Sequence, residues 1–191
     1  MLKAPRPGLV KTRLAREAGK IEAARIYRHL VHRQLRALPS GWPVIVWYAP
    51  PGAGREMKSW LGPTYRYRPQ CAGDLGRRLV HAVRQTFHAG ARRVIFLGGD
   101  CPYVSAPDLR RTARSLRKVD VVLGPATDGG YYLVGLRRPE PVIFRGIAWS
   151  TDRVLRQTLE AVKQAGLTHL LLEELEDVDD VAAWSRTGLL P

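Results

Sequence analysis

The chain of 191 residues, 45% hydrophobic and 25% charged, is long enough to bury a substantial core, and its composition excludes a disordered or fibrous protein. Lys and Arg outnumber Asp and Glu 31 to 17, a net +14, but arginines from Arg16 to Arg117 spread that charge along the chain; this argues against a specific nucleic-acid footprint and is compatible with a small anionic ligand. No apolar run reaches the length of a membrane span and no signal-like segment follows Met1, so a cytoplasmic protein is expected, with Cys71 and Cys101 as free thiols lacking metal-type spacing.

Residues 3–14 place Pro5, Pro7, Gly8 and the basic Lys3, Arg6, Lys11 and Arg13 just ahead of a helical pattern. Proline fixes φ and glycine permits positive φ, so this is a shaped loop. Shaped backbone, basic side chains and a helix N-terminus suit a phosphate group; a solvated basic arm is the alternative. From about 17 to 38, Ile21, Ala24, Tyr27, Leu30, Val31 and Leu35 recur at helical spacing, ended by Pro39-Ser40-Gly41, with His29 and His32 on or beside the solvated face. Residues 44–49 form an unbroken apolar run, a strand of the kind buried on both faces. A short helix at 56–61 and an extended piece at 65–69 follow. Asp74 opens a helix to about 88, with Leu75, Leu79, Val83 and Phe87 on one stripe and Gly90 past its end. Strands at 94–97, 120–123, 131–136 and 170–172 alternate with helices at 107–116, 151–165 and 181–186. This alternation predicts a three-layer α/β/α fold with a mostly parallel, mixed sheet, as a single domain over 1–191.

Ligands of open α/β sheets bind beyond the carboxyl ends of strands. Asp100, in Gly98-Gly99-Asp100-Cys101-Pro102 after an apolar strand, stands at such an end. It reads either as a ligand for a hard cation or as the cap of the next turn. In Asp177-Val178-Asp179-Asp180 the last two residues are candidate N-caps for the terminal helix. Asp128 is a turn residue or, with its neighbouring glycines and tyrosines, part of an acceptor site. Trp149-Ser150-Thr151 reads first as a helix start capped by Ser150 or Thr151, with a ligand contact by Trp149 as the alternative. No Ser-His-Asp order, Cys-His nucleophile, Walker loop or Rossmann loop is present.

Taken together, Lys3-Ala4-Pro5-Arg6-Pro7-Gly8-Leu9-Val10-Lys11-Thr12-Arg13-Leu14, residues 70–79, Gly98-Gly99-Asp100-Cys101-Pro102, residues 123–136, Trp149-Ser150-Thr151 and Asp177-Val178-Asp179 form an ordered set. In that set the chain resembles the radical-SAM/selenodomain-associated glycosyltransferase-like family of the nucleotide-diphospho-sugar transferase (GT-A) superfamily. The resemblance implies that Lys3, Ala4, Pro5, Gly8, Lys11, Thr12 and Arg13 hold a nucleotide and its phosphates, with Gln70, Gly73 and Asp74 near its base or ribose. Asp100, beside Gly99, and Asp179 are implied ligands of Mg²⁺ or Mn²⁺. Asp128, Gly129, Gly130, Tyr131 and Trp149 would face the acceptor, with Asp128, Lys11 and Arg13 in catalytic roles. The expected activity is metal-dependent glycosyl transfer from a nucleotide-sugar to a small acceptor. Nucleotidyl transfer from an NTP to a phosphorylated small molecule is the alternative, and a non-catalytic anion-binding protein a third reading. Members of that family begin with an apolar strand before the basic loop, so the first strand is expected to be missing or truncated here. Asp180 stands where they carry Thr.

Overall fold

The computed structural model describes residues 1–189. The chain forms two compact units: the first comprises Met1–Pro69, Gly98–Ala106 and the segment from Glu176 onward, the second Gln70–Leu97 and Pro107–Leu175.

In the first unit the apolar run after Pro43 becomes β2 (Ile45–Ala49), flanked in parallel by β1 (Leu2–Lys3) and β3 (Arg66–Pro69). The first strand is therefore present, although only two residues long. Leu2 is buried opposite Tyr48, and the Ala4 N–H donates to the Ala49 carbonyl at 2.7 Å, prolonging the pairing. The single helix expected over 17–38 is two helices, α1 (Leu14–Ala18) and α2 (Lys20–Arg36). Gly19 between them has φ +82°, outside the helical region, and breaks the run. Helical spacing gives α2 two buried stripes. Ala24, Tyr27 and Val31 pack with Leu2, Val46, Tyr48 and Met57, while Ala23, Ile26 and Leu30 pack with Leu14, Val178, Ala183 and Trp184. Ile21 belongs to neither stripe and is 79% exposed. A 3₁₀ turn at Pro51–Ala53 leads into α3 (Gly54–Leu61). The last helix, α7 (Val181–Arg186), is N-capped by Asp180, whose carboxylate accepts the Ala183 N–H at 2.7 Å. Capping thus falls to Asp180 and leaves the Asp179 side chain available for other contacts.

The second unit holds β4 (Val94–Leu97), β5 (Val121–Pro125), β6 (Tyr131–Leu136) and β7 (His169–Leu171) in the order β4-β6-β5-β7. β5 and β7 are parallel, but β6 is antiparallel to both β4 and β5. Residues 126–130, the short link between β5 and β6, allow a hairpin but not the crossover a parallel pair needs. Val121, Val122, Leu123, Leu133, Val134 and Leu136 are all buried, each large side chain contributing about 1.5–3 kcal/mol. The helices of this unit are α4 (Leu75–His88), α5 (Ala106–Ser115, entering the unit at Pro107) and α6 (Val154–Gln164), with a 3₁₀ turn at Pro141–Phe144. Leu75, in the first turn of α4, is 42% exposed and leaves the apolar stripe to Leu79 and Val83. α6 starts three residues later than expected, and neither Ser150 nor Thr151 is its N-cap. The Thr151 hydroxyl instead donates to the Ala148 carbonyl at 2.7 Å. Among the described residues, Cys71 and Cys101 are free thiols, and no helix is long and apolar enough to cross a membrane.

Candidate active site

Three segments of the first unit meet around one ammonium group. The loop between β1 and α1 supplies Lys11, whose side chain is only 4% exposed. The segment Gly98–Ala106 supplies Asp100, and the stretch before α7 supplies Asp179. Lys11 Nζ lies 2.5 Å from Asp100 Oδ1 and 3.2 Å from Asp179 Oδ1, and Arg13 Nη1 lies 3.2 Å from Asp179 Oδ2. The local sequence explains why these groups converge. In Asp177-Val178-Asp179 the middle residue is fully buried with α2 and α7, and the aspartates on either side both lie near enough to Lys11 to act on its charge. The Val178 N–H donates to the Asp100 carbonyl at 3.0 Å, tying the two acidic segments together through the backbone. Ala183 and Trp184 of α7 anchor the same stretch against Leu14, Ile26 and Leu30.

Lys11 has φ +47°, a left-handed conformation that non-glycine residues seldom adopt and that tends to persist where surrounding contacts over-determine it. Its carbonyl accepts the Ala15 N–H at 2.8 Å, which links it to the first turn of α1. Burial opposes the charged ammonium, but the charge and hydrogen bond of Asp100, with the charges of Asp179 and Asp177, outweigh it and raise the Lys11 pKa. The carboxylates remain open to solvent, 45% exposed for Asp100 and 38% for Asp179. Carboxylate oxygens converging on one cation are a donor set suited to a hard divalent ion such as Mg²⁺ or Mn²⁺. Among the described residues no three His, Cys, Asp or Glu form a complete metal cage. A divalent ion here would complete its shell from phosphate oxygens and water.

The rest of the loop is mostly framework. The Lys3 N–H donates to the Tyr27 hydroxyl at 3.0 Å, Ala4 and Pro5 are buried, and Arg6 pairs with Glu56 at 2.9 Å. Gly8 has φ +80°, which glycine alone adopts at no steric cost, and Thr12 is exposed. Gly99 is closely packed: a Cβ there would stand 2.9 Å from the Leu2 Cδ2 and would push that side chain aside. Cys101, also in this unit, is buried and its thiol pKa is pushed up to about 12, chiefly by burial.

The remaining candidates belong to the second unit. Gln70 is buried; Asp74 N-caps α4, accepting the Arg77 N–H at 2.8 Å; Gly73 has φ +110° and its carbonyl accepts Arg78 Nε at 2.9 Å. Asp128 is exposed and its Oδ1 accepts the Gly130 N–H at 2.8 Å, a turn-forming contact. Gly129, at φ +83°, lies so close to the Asp152 backbone that a Cβ would come within 2.7 Å of the Asp152 carbonyl carbon. It also lines a groove of about 570 Å³ along α6, with Asp152, Leu155, Arg156 and Lys163. Tyr131 and Trp149 meet edge to face at 6.4 Å, and burial raises the Tyr131 pKa. Trp149 Nε1 stands 2.6 Å from where a Cβ on Gly76 would be, so Gly76 leaves room for the indole. Ser150, next to it, has φ +64°.

The sequence pointed to Lys11, Arg13, Asp100 and Asp179 individually. Its basic loop gave no sign that one of four cations turns inward, nor that Asp177 would act on the same ammonium.

Residues 33–151 match the model of a family described as "Uncharacterized protein conserved in bacteria (DUF2064)". A phosphoenolpyruvate guanylyltransferase from Chloroflexus aggregans is 35% identical over 100 residues, 48% of this chain and 50% of that protein, so the match spans half the length of this relative. A crystal structure from Desulfovibrio desulfuricans G20, assigned as a nucleotide-diphospho-sugar transferase, superposes with a TM-score of 0.89 at 37% identity, over 94% of this chain and 81% of that one. Rv0371c of Mycobacterium tuberculosis H37Rv, solved in complex with manganese, superposes with a TM-score of 0.55 at 16% identity, over 97% and 94% of the two chains. The family model covers more than half of the sequence, so the chain belongs to the DUF2064 family, and its α/β fold is that of the nucleotide-diphospho-sugar transferase structure it superposes on.

Proposed function

We propose that this protein is a metal-dependent transferase that uses a nucleotide-activated donor, with Lys11, Arg13, Asp100 and Asp179 holding the donor's phosphates and cation. One observation carries this reading: a buried ammonium on a left-handed backbone, set between two carboxylates that water still reaches. An ion pair serving stability alone needs neither the backbone cost nor the open carboxylates. Asp100 and Asp179 would hold Mg²⁺ or Mn²⁺. When bound, such a cation neutralises phosphate charge and eases departure of the leaving group. Lys11 and Arg13 bind phosphate oxygens and supply positive charge where negative charge develops. The Arg13 side chain, 69% exposed, can turn from Asp179 to a ligand at small cost. Lys3, Ala4, Pro5, Gly8 and Thr12 shape the loop that presents Lys11 and Arg13, and Gly99 leaves room for Leu2 beside Asp100.

Nucleotidyl transfer is the reaction we place first, because the 35% identical relative is named for guanylyl transfer. An oxygen of a phosphorylated small molecule would attack the α-phosphorus of an NTP, the bond to the bridging oxygen would break, and pyrophosphate would leave. Glycosyl transfer is the second reading, favoured by the 37% identical crystal structure and by the resemblance to the radical-SAM/selenodomain-associated glycosyltransferase-like proteins. In that reading Asp128 orients or deprotonates the acceptor hydroxyl, and Gly129, Gly130, Tyr131 and Trp149 line the acceptor's place. Gln70, Gly73 and Asp74 serve the base or ribose in either reaction. The free thiols accord with a reducing cytoplasm as the place of action.

The test offers GTP with Mg²⁺ and phosphoenolpyruvate, then nucleotide-sugars with Mg²⁺ and sugar acceptors, assaying pyrophosphate and nucleoside diphosphate separately. Pyrophosphate release is expected. Nucleoside diphosphate release would move the assignment to glycosyl transfer. Neither product, together with no Mg²⁺-dependent binding of either donor by calorimetry, would overturn the transferase reading.

A further inference from the structure

The Lys11 ammonium sits where a cation between Asp100 and Asp179 would sit. Its Nζ is 2.5 Å from one carboxylate and 3.2 Å from the other, and its side chain is 4% exposed. A divalent ion on those same oxygens and an ammonium at those distances exclude each other, because like charges repel strongly where water is scarce. The lysine is not what assembles the pair. The Val178 N–H bond to the Asp100 carbonyl and the packing of Val178 and Trp184 already fix the two acidic segments. What Lys11 supplies is a full charge to two carboxylates whose other basic neighbours are the exposed Arg13 on Asp179 and the Met1 amino group near Asp100, its pKa lowered to about 5 by burial.

We propose that Lys11 is a resident counter-ion, displaced from Asp100 and Asp179 by the divalent cation and thereby delivered to the donor's phosphates. This rests on the metal–phosphate reading above and adds a regulatory consequence to it. A cation arriving alone must break both Lys11 ion pairs and leaves the ammonium without a partner. A cation arriving with a phosphate gives the displaced ammonium a new anion, so the two ligands bind with positive coupling. The lysine therefore disfavours metal loading in the absence of donor.

The test titrates Mn²⁺ alone, by calorimetry, into wild type, Lys11→Met and Asp100→Asn. Lys11→Met is expected to bind Mn²⁺ about tenfold or more tightly than wild type, the size of coupling usual for contacting charges. Asp100→Asn is expected to lose binding. Equal or weaker affinity in Lys11→Met, with binding still lost in Asp100→Asn, overturns the displacement while the metal site stands. No Mn²⁺ binding by wild type or Lys11→Met overturns both. A second measurement needs no variant: acetic anhydride labelling of the wild-type protein, read residue by residue by mass spectrometry, with the exposed Lys3, Lys20 and Lys58 as references. Lys11 should label slowly alone and several-fold faster with saturating Mg²⁺. An unchanged Lys11 rate overturns the displacement.

Discussion

Replacing Lys11, or replacing its carboxylate partners, breaks the same ion pairs from opposite sides, and the structure makes the two costs unequal. Lys11→Met leaves two carboxylates, 45% and 38% exposed, that water can solvate. Discounted for that screening, the loss is about 1 kcal/mol or less. The double replacement Asp100→Asn with Asp179→Asn leaves the ammonium in a slot that water barely reaches, with only the charge of Asp177 still acting on it. A buried charge that has lost both carboxylates in contact with it costs about 3 kcal/mol, the larger share falling to Asp100 at the shorter distance. Urea denaturation followed by tryptophan fluorescence measures both, since Trp42, Trp47, Trp60 and Trp184 lie in the first unit and only Trp149 in the second. The midpoint should fall clearly further for the double carboxylate variant, at unchanged slope. Equal losses, or a larger loss for Lys11→Met, would refute the reasoning, because the ammonium would then not be the poorly solvated partner.

The pH dependence of the same ion pairs has a fixed sign. The folded-state pKa of Lys11 is raised above its ordinary 10.5, so its stabilisation is complete below 10.5 and is lost as pH rises through the folded value. The stability difference between wild type and Lys11→Met should be flat between pH 7 and 9 and shrink in strong alkali; a difference already shrinking at pH 8 would contradict this. Gly90→Ala, at φ +91° with open space around it, should cost about 1 kcal/mol, whereas Gly129→Ala, at φ +83° and against the Asp152 backbone, should cost about 3 kcal/mol or more by thermal or urea unfolding. Similar costs would remove the steric argument at Gly129. Titration with a disulfide reagent at pH 8 should find Cys71 reactive in the native protein and Cys101, 2% exposed with its pKa pushed up to about 12, reactive only after unfolding.

The core elements were legible because β2, β4, β5 and β6 are unbroken apolar runs and α4 and α7 start at aspartates that do cap them. The antiparallel course of β6 was also legible, in the short link at 126–130, but the parallel look of its apolar run concealed it. β1 is too short for periodicity to register, and it exists because Leu2 finds a place beside Gly99 and Tyr48. Gly19 broke a helix whose apolar pattern runs on from α1 into α2. The Asp-Val-Asp motif marked Asp179, with Asp177 beside it, but not that the charges of both would act on Lys11. What the sequence could not encode locally is the burial of Lys11. Its partner Asp179 lies 168 positions away, and among four basic residues in one loop only the folded contacts decide which turns inward.

Calorimetric titration of GTP into the wild-type protein and into Asp100→Asn, each with and without Mg²⁺ and each checked for folding by circular dichroism, bears on whether Lys11, Arg13, Asp100 and Asp179 form a metal–phosphate site. Binding should appear in wild type only with Mg²⁺ and weaken about tenfold or more in the folded Asp100→Asn protein, as expected when a phosphate-bridging cation loses one of its carboxylate ligands. Mg²⁺-dependent binding of equal strength in the two proteins would contradict the assignment.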